Sequence, residues 1–290
     1  MTISEASSFV RDAIRKIYDA REAENITHWV LEKITGLNKI NLLLKRNRVL
    51  TDQEYTSLND YTTQLLQHRP VQYVLEEAWF CGMPLYVDEN VLIPRPETEE
   101  LVAWIISDAE KNPTGCDKKY RILDIGTGSG CIAIALKKNL PACEVYAIDV
   151  SEGALAVARK NAESAQCTIQ FLNINILDPR QSGSLPVFDI IVSNPPYVPL
   201  KDKEDMNPNV FLFEPHTALF VEDHDPLSFY LAIGSLAKRH LHKNGGIYVE
   251  IHESMGESIQ PVFASYGLNR ITVKKDMQGK DRMAKAVKTD

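Results

Sequence analysis

An α/β domain built on a mainly parallel sheet and preceded by a small all-α bundle is the fold this sequence predicts. Three observations carry the prediction. Apolar residues recur at three- and four-residue spacing from residue 2 to about 70, short apolar strands alternate with helices after Pro96, and a glycine-rich turn joins the first of those strands to a helix. With 290 residues, 44% of them apolar, the chain has room for two domains.

The N-terminal pattern is helical. Phe9, Val10, Ala13, Ile14 and Ile17 repeat at helical spacing, as do Ile26, Trp29, Val30 and Ile34. Thr51 followed by Glu54 is a capping-box signature, and Tyr55, Leu58, Tyr61 and Leu65 follow on one face. A helical bundle over residues 1–72 is expected. Between residues 73 and 95 the periodicity gives way to short apolar and aromatic runs broken by Gly82, Pro84 and Asp88, which reads as a hairpin-like connector.

Residues 96–290 then form the larger domain. Pro96 opens a helix, and YRILDI, CEVYAIDV, TIQFL, FDIIVS and GGIYVEIH alternate with helical segments such as GCIAIALKKNL and SEGALAVARKNAES. That alternation means a parallel sheet with helices on both faces. ITVKKDM and RMAKAVK close the sheet as a pair of strands, one of them antiparallel.

Composition excludes several classes. No run approaches the roughly 18 consecutive apolar residues of a membrane helix, and MTISEASSFVRDAIRK carries charges where a signal peptide is apolar, so a soluble cytoplasmic protein is expected. Five scattered cysteines (81, 116, 131, 143 and 167), none as CxxC, argue against a disulfide framework and a zinc site; no metal is expected. A formal net charge of −7 disfavours nucleic acid as a main partner.

Only the loops at strand ends can decide function. In ILDIGTGSGC the turn spans Gly126, Thr127, Gly128, Ser129 and Gly130. Its glycines allow a tight turn and close approach of backbone to a ligand, and the helix beyond offers free N–H groups. Asp149 ends the next strand, where a carboxylate accepts both hydroxyls of a ribose. A dinucleotide fingerprint would place its third glycine at Cys131, so the loop departs from that pattern. DIGTGSG resembles instead the signature of class I S-adenosylmethionine-dependent methyltransferases, whose fold is Rossmann-like with a mainly parallel seven-stranded sheet.

The strand FDIIVS ends in Asn194, Pro195, Pro196 and Tyr197. Asn194 stands in the crevice where open parallel sheets bind ligands. Its side-chain oxygen and the carbonyl after it can accept from one planar NH₂ group, Pro195 stiffens the turn, and Tyr197 offers a flat wall with a polar tip. Catalysis by positioning is expected of Asn194, Pro195 and Tyr197, because an in-line transfer to a delocalised nitrogen gains most from held geometry. Arg95 and Glu97 are candidates for the pocket rim, and Phe213, Glu214 and Pro215 for a loop that closes over the substrate. Glu250 and His252 share a strand face, yet without a third ligand they read as structural.

The NPPY stretch after DIGTGSG resembles the amino-methyltransferases, which act on adenine N6 of DNA or on glutamine N5 of proteins. PVQYVLEEAWFCG, VLIPRPETEELV, NPPYVP, FEPHTALF and VEIHESMGE, in this order, resemble the HemK/PrmC family, the peptide chain release factor N5-glutamine methyltransferases. The resemblance implies methyl transfer from S-adenosyl-L-methionine, leaving S-adenosyl-L-homocysteine, to the glutamine amide of the Gly-Gly-Gln motif of release factors. It implies release-factor docking by the helical bundle. Gly126 to Gly130 would line the donor, Asp149 its ribose and Ile176 its adenine; Asn194 to Tyr197 would hold the acceptor, with Asn194 touching both. Asn175 stands where the family has an acid, and its amide oxygen can still accept from adenine N6. Glu76 stands where the family often has glycine. The alternatives are an exocyclic-amine methyltransferase acting on DNA or RNA and a non-catalytic binder of S-adenosylmethionine.

Overall fold

Side-chain caps decide where the first helices begin. Thr2 accepts from Glu5 N–H while Glu5 reaches back to Thr2 N–H, starting α1 (Ile3–Ile14); Asp19 starts α2 (Ala20–Thr35) by accepting from Arg21 and Glu22. Asn38 caps α3 (Lys39–Leu44), and Thr51 with Glu54 forms the expected capping box on α4 (Asp52–Leu66). After Pro70 comes α5 (Val71–Leu75). Ile3, Ala6, Val10 and Ile14 of α1 pack with Ile26, Val30, Leu58 and Leu65 into one core. Phe9, Trp29 and Tyr55, which share the helical spacing, are exposed, because the buried seam is narrower than the apolar stripe.

The computed structural model describes residues 1–111 and 119–289; Cys116 lies outside them. Within them the chain divides into two compact units, Met1–Glu77 with Asn207–Phe213 and Ala78–Met206 with Glu214–Asp290. The helical unit thus runs past residue 72, because Val74 and Leu75 of α5 join its core. Glu76 ends α5 at φ +52°, a left-handed conformation that costs a non-glycine residue about 1 kcal/mol. That conformation is a physical reason for glycine at this position.

The second unit opens with an antiparallel hairpin, β1 (Ala78–Phe80) and β2 (Met83–Leu85), within the segment read as hairpin-like. There follow α6 (Pro96–Glu110), β3 (Arg121–Ile125), α7 (Cys131–Asn139), β4 (Glu144–Asp149), α8 (Glu152–Ser164), β5 (Gln170–Asn173) and β6 (Phe188–Ser193). After the short β7 (Val198–Pro199) come α9 (Pro208–Phe211), which belongs to the helical unit, α10 (His216–Leu219) and β8 (Phe220–Val221), parallel to β7. The chain ends with α11 (Ser228–His240), β9 (Leu241–Glu250), α12 (Ile259–Ser265), β10 (Leu268–Lys275) and β11 (Asp281–Lys288).

Among the described residues the main sheet has seven strands in the order β10-β11-β9-β6-β3-β4-β5. Five are mutually parallel, and β11 runs antiparallel to both its neighbours, so β11 alone is reversed while β10 points the same way as the parallel five. Alternate residues feed two cores. Ile122, Val145 and Val192 pack under α6, α7 and α8, whereas Leu123, Ile148 and Ile191 pack under α11 and α12. The chain winds from β3 outward through β4 and β5, then returns to β6 on the other side of β3. The carboxyl ends of β3 and β6 therefore flank the topological switch point, where open sheets bind ligands.

Candidate functional site

The ends of four adjacent strands, β6, β3, β4 and β5, supply the site. The loop after β3 carries positive φ at Gly126 (68°), Gly128 (52°) and Gly130 (81°), which L side chains rarely adopt. A Cβ on Gly126 or Gly128 would point into open space, so bare backbone faces whatever sits there. Gly130 serves packing instead, since a Cβ there would stand 3.2 Å from that of Ala158, and its absence lets α7 and α8 approach. Beneath the loop, Asp124 is fully buried and accepts from the Thr127 hydroxyl at 2.7 Å. Burial pushes its carboxyl up to about 7, against the pull of Thr127.

Asp149 ends β4 beside the loop. Its Oδ2 accepts from Gly128 N–H and its Oδ1 from Ser151 N–H, both at 2.9 Å. Each oxygen keeps a lone pair, enough for two vicinal hydroxyls. Burial raises this carboxyl, and the backbone N–H groups of Ser151, Gly128 and Val150 oppose the shift. Asn175 Oδ1 accepts from Leu177 N–H at 3.0 Å, which takes one of its two lone pairs and leaves the other.

A cavity of about 550 Å³ opens over these strand ends. Gly126, Thr127, Gly128, Ser129, Asp149, Ile176, Asn194, Pro195 and Pro196 all line it. Gly130 and Tyr197 are not on its wall. Arg95 lines it, and its guanidinium pairs at 2.5 Å with buried Glu214, which also accepts from Ile93 N–H. That tie fixes the segment before α6 against the segment carrying Pro215, another wall residue; Glu97 is off the wall.

The acceptor end is organised by Thr98, which sequence reading passed over, and by Glu250, which it read as structural. Asn194 Nδ2 donates to the Thr98 hydroxyl at 3.1 Å, and Thr98 donates to Glu250 Oε2 at 2.7 Å. Tyr197 donates to Glu250 Oε1 at 2.9 Å, and its ring lies tilted against His252 with centroids 6.1 Å apart. Glu250, at the end of β9, is 1% exposed; burial raises its carboxyl, while Thr98, Tyr197 and the charge of Arg282 lower it. Burial likewise pushes the Tyr197 phenol far up, with Glu250 adding to the shift, so it stays a donor. Two signals could have pointed here: a carboxylate at the end of the otherwise apolar IYVEI run, and a threonine in the first turn of PRPETEE.

Among the described residues no group of His, Cys, Asp and Glu could hold a metal ion, and no helix is long and apolar enough to cross a membrane. Cys81, Cys131, Cys143 and Cys167 are free.

Comparison with known proteins agrees with this architecture. Residues 106–219 match the family described as the methyltransferase small domain, and residues 5–75 match the PrmC N-terminal domain. A methyltransferase from Pyrococcus furiosus superposes with a TM-score of 0.51 at 18% identity, covering 80% of this chain and 100% of that one, a likeness of fold. The release factor glutamine methyltransferase of Flavobacterium psychrophilum is 46% identical over 273 residues, 94% of each chain. That of Bacteroides thetaiotaomicron is 39% identical over 282 residues, 97% of this chain and 98% of its own. At such identity over nearly the full length, with a seven-stranded methyltransferase sheet behind a helical unit, the chain belongs to the release factor glutamine methyltransferase family.

Proposed function

We propose that this protein methylates the side-chain amide nitrogen (N5) of the glutamine in the Gly-Gly-Gln motif of peptide chain release factors, in the cytoplasm, with S-adenosyl-L-methionine as donor and no metal. The observation that carries the reading is Asn194. It lines the cavity beside the glycine loop, and its Nδ2 is committed to Thr98 while its Oδ1 accepts from no described residue. That oxygen is left to accept from an NH₂ group.

The residues present suit the donor. Bare backbone at Gly126 and Gly128 suits close approach of its amino-acid end, the spare lone pairs of Asp149 suit the ribose diol, and Ile176 offers an apolar wall to the adenine. When bound, S-adenosylmethionine supplies a sulfonium methyl: the S–C bond breaks as the N–C bond forms, the amide nitrogen loses one proton to solvent, and S-adenosylhomocysteine remains. The chain's own work is positioning. Asn194 and the Pro195 carbonyl hold the amine against rotation, and Pro195, with φ fixed by its ring, keeps that carbonyl in place. Accepting from the NH₂ also favours the positive charge that grows on nitrogen.

The helical unit is the proposed docking element. On α3, Ile40, Leu43 and Leu44 share one face at 68%, 65% and 77% exposure, beside Lys39, Lys45 and Arg46. The net charge of −7 argues against duplex DNA as substrate.

The test incubates the protein with methyl-labelled donor and a release factor, the same factor with its Gly-Gly-Gln glutamine replaced by alanine, or duplex DNA. Label on the intact factor alone is expected. Label on DNA, or equal label on both forms of the factor, contradicts the reading.

A further inference from the structure

Asn194 can perform its role in one orientation only. A carboxamide turned by 180° fills the same space but presents NH₂ to an incoming NH₂, donor against donor. Nothing in the local sequence selects between the two orientations, since Asn194 is followed by two prolines that lack an N–H.

The selection comes from two residues far along the chain. Thr98, in the first turn of α6, is 2% exposed, and Glu250, at the end of β9, is 1% exposed. Both Glu250 oxygens act as acceptors, from Thr98 at 2.7 Å and from Tyr197 at 2.9 Å. Arg282, held through its Nε to Asp276 Oδ2 at 3.1 Å, adds positive charge nearby. Because the Thr98 hydroxyl has a single proton and gives it to Glu250, that oxygen can only accept from Asn194. Nδ2 is drawn to Thr98, and Oδ1 is left for the cavity.

We propose that the Glu250 carboxylate, acting through the Thr98 hydroxyl, is a positioning device that fixes the polarity of the Asn194 amide, and so decides that the site accepts an amine rather than a carbonyl. The same carboxylate anchors Tyr197, so one buried group sets both ends of the NPPY turn. The inference rests on the reading of the acceptor as a primary amide.

The test compares Thr98→Val, nearly isosteric but without a hydroxyl, with Thr98→Ser, which restores it. Glu250→Gln is the second variant; it keeps the shape but places an NH₂ where one of the two hydroxyls must donate. Turnover of release factor, donor Kd by calorimetry, Tm, and hydrogen exchange of the Asn194 side-chain NH₂ by ¹⁵N NMR are read for each. Thr98→Val and Glu250→Gln are expected to lower kcat about tenfold, the worth of one ordered hydrogen bond, with donor Kd and KM for the factor within about twofold. Exchange of the Asn194 amide should quicken in both, and Thr98→Ser should recover turnover to within about threefold. Wild-type kcat with unchanged amide exchange in both altered variants overturns the proposal, as does an equal loss in Thr98→Val and Thr98→Ser. The amide exchange is measured without acceptor, so it tests the device even on enzyme that transfers nothing to a release factor.

Discussion

Asn194→Ala is expected to lower kcat by about two orders of magnitude, the loss found when one preorganised polar contact to developing charge is removed, while the donor Kd changes by less than about threefold. The variant deletes a side-chain acceptor at the cavity that has no partner among the described residues, and the cost falls where charge builds on nitrogen. A hundredfold loss is about 2.7 kcal/mol of transition-state stabilisation. The glycine loop and Asp149, the proposed donor-binding residues, remain. Single-turnover kinetics with saturating donor, beside calorimetric titration of the donor, separate the two quantities. A variant that turns over normally, or one whose whole defect is weaker donor binding, removes Asn194 from the role assigned to it.

The second large effect is at Asp149. Asp149→Ala removes a carboxylate that meets the loop through Gly128 N–H and the start of α8 through Ser151 N–H, and whose spare lone pairs face the cavity. Two charge-assisted bonds to a ribose diol at about 1.5 kcal/mol each come to about 3 kcal/mol, or a donor Kd weakened about a hundredfold. Asp149→Asn keeps one acceptor oxygen and should fall between. Calorimetry with S-adenosylmethionine and with the free methionine moiety checks the assignment. The variant should lose affinity for the whole donor and hardly any for the fragment without ribose, and an equal loss for both would place the carboxylate elsewhere.

How much of this was legible follows from what is local. The parallel sheet was readable because apolar strands alternated with helices, and the glycine loop because positive φ at Gly126 and Gly128 requires that residue type within a few positions of a strand end. Asn194 was readable because two prolines isolate it at the end of a buried strand. Thr98 and Glu250 were not, since they lie 152 residues apart and meet only because α6 packs against β9. Thr98 taken alone is explained as part of a helix start, and Glu250 as one acid in a pair with His252. The direction of Tyr197 was equally hidden: the motif suggests a ring facing the acceptor, whereas its hydroxyl is drawn to Glu250 and the residue is off the cavity wall. The end of the helical unit moved to Glu77 because α5 is too short to show a helical period, yet its Val74 and Leu75 are buried.

The central claim is that the atom methylated is an amide nitrogen, and the chemistry of the product tests it most directly. The release factor is labelled by this protein with methyl-labelled donor, digested, and the labelled peptide is hydrolysed in strong acid. A methylated glutamine amide must release its label as methylamine, leaving unlabelled glutamate, and the account predicts methylamine from the peptide that carries Gly-Gly-Gln. Label released as methanol would mean an ester on a carboxylate, and label retained on an amino acid after hydrolysis would mean a different acceptor; either result contradicts the account.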